Sequence, residues 1–204
     1  MVTSDFIPQK EIEKAAIRFL KEHHPDGSIP IPIDEIVEIK LKIKVVPSPG
    51  LLRNHGIDAF STPDFKEIYI DHMQFTESEN RARFTLAHEV GHYFLHGSFI
   101  KEQATFTDLD EWRNFVIRDI RRDPLETQAN MFAAFLLLPT DSLAKEYQES
   151  KSELAKNEGF GGALPDDRTL APYLAKPISR KFKVSERCAE LRIGNWLNSR
   201  QNIP

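Results

Sequence analysis

Hydrophobic positions in the first forty residues recur with a helical period. In QKEIEKAAIRFLKE, residues 9–22, Ile12, Ala15, Ala16, Phe19 and Leu20 share one helical face. The proline-rich SIPIPIDEIVE leads into a short helix with Asp34 early in it. LKIKVV, GIDAFST and KEIYID then alternate or are β-branched, and Pro47, Pro49, Gly50, Pro63 and Asp64 separate them. This pattern predicts three strands of a small antiparallel sheet. Thr76 and Glu79 have capping-box spacing, which predicts a helix from Thr76 through about His96.

Residues 97–123 are charged and irregular, with a helical segment around LDEWRNFVIRDI. Asp123 and Pro124 suit the cap and first turn of another helix, which carries TQANMFAAFLLL up to Pro139. A polar helix over about 141–156 and a glycine-containing loop follow. The last forty residues read as helical, interrupted at Pro172 and Pro177. The expected division is 1–164 as the main domain and 165–204 as a helical C-terminal subdomain.

Composition narrows the class. The chain has 204 residues, 40% of them apolar and fourteen of them Phe, which is enough for a packed core. A single cysteine, Cys188, excludes an intramolecular disulfide and a cysteine-based metal cage. The start of the chain, MVTSDFIPQKEIEK, has no apolar leader, and no apolar run has the length of a membrane span. A cytoplasmic protein without membrane contact is expected.

Residues 85–96, TLAHEVGHYFLH, hold three of the seven histidines. His88 and His92 are four apart, so on a helix they differ by about 40° in direction and about 6 Å in height and can converge on one ion. Neutral imidazoles suit Zn²⁺, and Glu89 points to a neighbouring sector, where it can take a proton from water without binding metal. Phe84, Leu86, Ala87, Val90, Gly91, Tyr93, Phe94 and Leu95 make this helix apolar on nearly every side. Such a helix is interior, and burying two histidines and a glutamate in it is costly unless something satisfies them.

A third ligand is needed. His96 lies about 12 Å along the axis from His88, too far to share one ion on a straight helix. It is read as a supporting residue, a substrate-facing group or a polar helix end. Glu126 in ETQAN is the better candidate, with Asp119 and Asp123 as alternates. Glu126, Asn130, Ala133 and Leu137 form one stripe, and Ala129, Ala133 and Ala134 would let two helices approach closely. Asn130 could then orient a ligating histidine. Glu126 is also the fourth residue of a D-P-L-E capping box, which is its competing role.

RARFTLAHEVGHYFLH followed by ETQANMFAAFLLLP resembles the ImmA/IrrE family of bacterial zinc metallopeptidases, closely over residues 81–139. The resemblance implies an α+β, zincin-like fold, with a small sheet packed on the active-site helix and a helical C-terminal region. It implies His88, His92 and Glu126 as zinc ligands, Glu89 as general base, and a helix-turn-helix repressor as protein substrate, in control of mobile-element or stress genes. Leu138 departs from the family's methionine, and the segment between the two motifs is long.

Other features are less decisive. IDAFST and KEIYID are candidates for a free strand edge that holds an extended peptide. Tyr93, His96, His55 and Tyr173 are unranked candidates for stabilising an oxyanion. Net charge is −4, but Lys176 to Arg200 holds seven basic and two acidic residues. Residues 178–193 have a helix-turn-helix cadence, turning at Lys183-Val184-Ser185, and Arg180, Lys181, Lys183 and Arg187 could meet phosphates. No base-reading helix stands out, so a nucleic-acid partner is not expected. Two rivals to the peptidase remain: a non-hydrolytic anti-repressor with a structural zinc, and a DNA-binding regulator. Oligomeric state is not readable from the sequence.

Overall fold

The helix bearing the H-E-x-x-H motif organises the structure. The computed structural model describes residues 6–103, 108–117, 124–156 and 164–201. In chain order these form α1 (Gln9–His23), α2 (Ile33–Glu35) with a π-helical turn (Ile36–Lys40), β1 (Lys44–Ser48), α3 (Leu51–His55), β2 (Ala59–Ser61) and β3 (Glu67–Asp71). Then come α4 (His72–Glu77), α5 (Glu79–Gln103), α6 (Leu109–Phe115), α7 (Leu125–Leu137), α8 (Thr140–Ala155), α9 (Asp167–Phe182) and α10 (Glu186–Gln201). The fold is α+β and zincin-like, with a helical C-terminal region. No described helix is both long and apolar enough to cross a membrane.

The sheet is mixed, which corrects the antiparallel expectation. Its order is β1-β3-β2, with β3 parallel to β1 and antiparallel to β2. The chain leaves β1 through α3, returns along β2, and turns back so that β3 inserts between the two. A central strand between two oppositely running neighbours must pair once in each sense. KEIYID is therefore not an edge, because β3 is paired on both sides. Its alternation divides the interior. Ile68 and Ile70 enter the main core with α1, α5 and α7, while Tyr69 stacks on Phe60 at 5.1 Å, beside a second cluster that includes Phe65, Ile100 and Trp112.

The helix beginning is also corrected. Asp71 caps α4, accepting from the Met73 and Gln74 N–H groups, and Thr76 Oγ1 donates back to the His72 carbonyl at 3.0 Å. Thr76 thus ends one helix instead of starting the next. Ser78 breaks the chain, its carbonyl accepts from the Arg81 and Ala82 N–H groups, and α5 runs on past His96 to Gln103.

The two prolines expected to interrupt the C-terminal helices lie inside α9. Each removes one intrahelical hydrogen bond, a loss of about 3 kcal/mol in an isolated helix. Leu170, Leu174, Ala175, Ile178 and Phe182 nevertheless bury one continuous face across both prolines. Tertiary packing outweighs local propensity here. The turn at Lys183 to Ser185 is as expected: Lys183 adopts φ 52°, and Ser185 Oγ accepts from the Cys188 N–H at 3.1 Å. Val184, Ala189, Ile193, Trp196 and Leu197 join the same core as α5 and α7.

Gly91 sets the distance between α5 and α7. A Cβ placed there would lie 3.1 Å from both the Cα and the carbonyl oxygen of Ala129. Glycine is about 1 kcal/mol worse than alanine inside a helix, so its place here answers to close packing. Replacing Gly91 by valine is expected to destabilise the metal-free protein by about 1–3 kcal/mol through overpacking. Thermal unfolding checks this as a fall of about 2–4 °C in Tm for each kcal/mol. An unchanged Tm would show that the helices part without cost.

Candidate metal centre

Side chains of three residues that could hold a metal ion, His88, His92 and Glu126, converge where α5 meets α7, with one donor atom from each within 4.8 Å of the others. His88 Nε2 and His92 Nε2 are 3.0 Å apart. Glu126 Oε1 is 3.1 Å from His92 Nε2, and its Oε2 is 3.4 Å from His88 Nε2. Donors bound at about 2.0–2.1 Å in tetrahedral geometry lie roughly 3.3 Å apart, so each of these contacts has the length that a shared ion would set. Both histidines are buried and Glu126 is half-buried. Turning two imidazole nitrogens toward each other and toward a carboxylate, away from water, is stable only with a proton or a cation between them. The donor set fits a divalent metal ion.

The stripe read on α7 places the rest. Asn130, one turn beyond Glu126, offers Oδ1 to His88 Nδ1 at 3.0 Å. With Nδ1 engaged by Asn130, Nε2 is the His88 nitrogen that can offer a lone pair to a metal. Burial opposes the charge on Glu126, but hydrogen bonds from His88 and His92, and their charge, outweigh it and hold its carboxyl well below the ordinary range. Asp119 and Asp123, including the expected cap at Asp123, lie outside the described residues.

Glu89 stands beside the triangle without belonging to it. Ser61 Oγ donates to Glu89 Oε2 at 2.6 Å, which fixes the carboxylate against the end of β2. Two cavities meet at this carboxylate. One, of about 20 Å³, is lined by Ser61, Glu89, His92, Trp112 and Glu126 among others, and is large and polar enough for one water. The other is a cleft of about 210 Å³, lined by Asp58, Phe84, Thr85, His88, Glu89, Glu126 and Asn130. A carboxylate between a water-sized cavity and an open cleft is placed to carry a proton from one to the other.

His96 faces neither solvent nor the cleft. Its Nδ1 is 3.2 Å from His92 Nδ1, and its Nε2 is 2.9 Å from Gln128 Oε1. Burial first, and the neighbouring His92 charge second, push its pKa down to about 4, so it is a neutral ring. Of the other oxyanion candidates, Tyr93 packs on Phe65 at 5.2 Å, Tyr173 is 70% exposed on α9, and His55 ends α3. None of the three lines either cavity. Ser61, Gln128 and Trp112 escaped the sequence reading. Gln128 carried a usable signal, an amide two residues from Glu126 in an otherwise apolar helix. Ser61 carried none, since a serine near a strand end is ordinary.

The expected peptide edge is partly filled. β2 is the strand beside Glu89, but the indole Nε1–H of Trp112 in α6 donates to the Ser61 carbonyl at 2.9 Å. Any strand pairing there would have to replace that bond.

The basic tail is largely engaged within the chain. Lys183 pairs with Glu79 at 2.9 Å, Arg187 with Glu190 at 2.9 Å, and Lys181 with Glu146. The turn also anchors α5, because Arg83 Nε donates to the Lys183 carbonyl at 3.1 Å and Asn80 Nδ2 to the Val184 carbonyl at 3.1 Å.

Comparison with known proteins assigns a family. No curated protein matches the chain significantly. Among solved structures, a Mycobacterium tuberculosis transcriptional regulator is similar, at 19% identity and a TM-score of 0.49, over 88% of this chain. The chain spans 45% of that regulator's length. The peptidase M78 family, described as the IrrE N-terminal-like domain, matches residues 40–193, from the π-helical turn into α10. That match supports a metallopeptidase, and it includes both converging motifs. With three quarters of its length matched, the chain belongs to the peptidase M78, IrrE N-terminal-like, family.

Proposed function

We propose that the protein is a zinc-dependent endopeptidase that cleaves a specific protein chain, with His88, His92 and Glu126 as ligands and Glu89 as general base. The observation that carries this reading is the position of Glu89: buried, held by Ser61, adjacent to the ligand triangle and outside it. A purely structural metal site has no use for such a carboxylate. Zinc, when bound, supplies Lewis acidity and lowers the pKa of water in its shell.

The chain's own residues do the rest. Glu89 accepts the proton of the attacking water and passes it to the leaving amine. Ser61 keeps that carboxylate aimed, and Asn130 keeps the His88 ring aimed. The cleft lined by Phe84 and Asn130 is the side from which an extended chain reaches the site. The substrate, a helix-turn-helix repressor, follows from the behaviour of the ImmA/IrrE group, as does a role in mobile-element or stress-gene control. A duplex-binding role is disfavoured, since Lys181, Lys183 and Arg187 already have acidic partners. Two functional units, 1–164 for catalysis and 165–204 as a buttress behind α5, suit this reading.

Zinc titrated into metal-free protein is expected to bind one ion per chain and to raise Tm. The stabilisation is about 4 kcal/mol at a thousandfold excess over Kd. Elemental analysis and calorimetry check this, and a chelator should reverse it. Glu126→Gln should bind at least tenfold more weakly, and wild-type affinity in that variant would remove Glu126 from the centre.

Glu89→Gln should retain zinc and its Tm but lose at least about a hundredfold in cleavage rate. The check is co-expression with a helix-turn-helix repressor, followed by mass spectrometry of the repressor. Equal cleavage by the variant ends the general-base assignment. Relief of repression by both proteins with the repressor intact would favour the non-hydrolytic anti-repressor.

A further inference from the structure

Behind His92 lies a run of buried polar contacts with no solvent to satisfy it. His92 Nδ1 and His96 Nδ1 are 3.2 Å apart, and His96 Nε2 is 2.9 Å from Gln128 Oε1. His96 is 3% exposed and Gln128 1%. Two ring nitrogens form a hydrogen bond only when one of them carries the proton and the other does not. The direction of this run therefore has a single consistent solution once one end is set.

The metal side sets it. His92 Nε2 faces His88 Nε2 and Glu126, so it must present a lone pair to bind an ion, and the neutral ring's proton must sit on Nδ1. His92 then donates to His96 Nδ1. His96 in turn carries its proton on Nε2 and needs an acceptor opposite, which Gln128 Oε1 supplies. Reversing the Gln128 amide would put a donor against His96 Nε2, drive the His96 proton to Nδ1 and force the His92 proton onto the nitrogen that should bind metal.

We infer that His96 and Gln128 are a positioning pair, which holds the His92 proton on Nδ1 and so keeps its Nε2 lone pair aimed at the metal. The inference rests on His92 being a ligand, as proposed above. The two ligating histidines are thereby set differently. His88 is oriented directly by Asn130 on α7, whereas His92 is oriented through a second ring on its own helix, which is in turn held by α7. The third histidine of HEVGHYFLH serves the site from behind, in a place too far along the axis for ligation.

The test compares full-length wild type with Gln128→Glu, which keeps an acceptor, and Gln128→Met, which keeps bulk without a strong one. Zinc affinity is read by competition with a chromophoric chelator. Gln128→Met should bind 10–100-fold more weakly, the usual cost of losing such a partner, and Gln128→Glu should stay within a few-fold of wild type. Equal affinity in all three, with folding intact by circular dichroism, overturns the pair.

Ring ¹⁵N shifts of the zinc-loaded wild type give an independent reading should Gln128→Met fail to fold. Read with zinc bound, so that the metal and not a proton occupies His92 Nε2, they should show His92 protonated on Nδ1 and His96 on Nε2. A wild-type His96 protonated on Nδ1 overturns the inference directly. Wild type that takes up no zinc is a different result, which sinks the ligand assignment itself.

Discussion

The close approach of α5 and α7 is the constraint on which the site depends. Gly91 and Ala129 bring the two backbones together, and the three residues that could hold a metal ion lie on either side of that contact: His88 and His92 flank Gly91, while Glu126 precedes Ala129 by three residues. A side chain at position 91 would wedge the helices and move a carboxylate away from two imidazoles. Small residues in an apolar interface are therefore as necessary to the candidate centre as the three converging side chains. The cost in helix propensity at Gly91 is local, and the gain is the convergence of His88, His92 and Glu126.

Burying this much polarity demands that each group have a partner. Asn130 holds His88, His96 holds His92, Gln128 holds His96, and Ser61 holds Glu89. In a low-dielectric interior each of these hydrogen bonds is stronger than in water, and each missing one would be expensive. The result is a set of side chains whose orientations are decided before anything binds. α5 carries the two histidines and Glu89, α7 brings Glu126 to them, and α7 and β2 supply the side chains that hold them.

The C-terminal helices belong to the same physical system. Arg83 and Asn80, near the start of α5, donate to carbonyls of the α9–α10 turn, and the apolar faces of both helices enter the core shared with α7. The positive charge of the turn is used against Glu79, Glu146 and Glu190. A stretch with a helix-turn-helix cadence thus packs against α5.

Local periodicity determined a good deal by itself. A 3.6-residue repeat put His88 and His92 on one side of α5 and Glu89 on the next, whatever the rest of the chain did. The same logic placed Glu126 and Asn130 on one stripe and located the turn at Lys183 to Ser185. The three strand segments, α1 and α8 were legible for the same reason, although Pro47, expected to separate the first strand from the second, lies inside β1. Pairing across the chain was not. The parallel partnership of β1 with β3, the passage of α9 through two prolines, and the late start of α5 at Glu79 all depend on what each segment packs against. So does the assembly around the ligands: Ser61 meets Glu89 from 28 residues away, and Gln128 meets His96 from 32. Spacing within an element follows from bond geometry, whereas contacts between elements exist only once the core has set their separation and tilt.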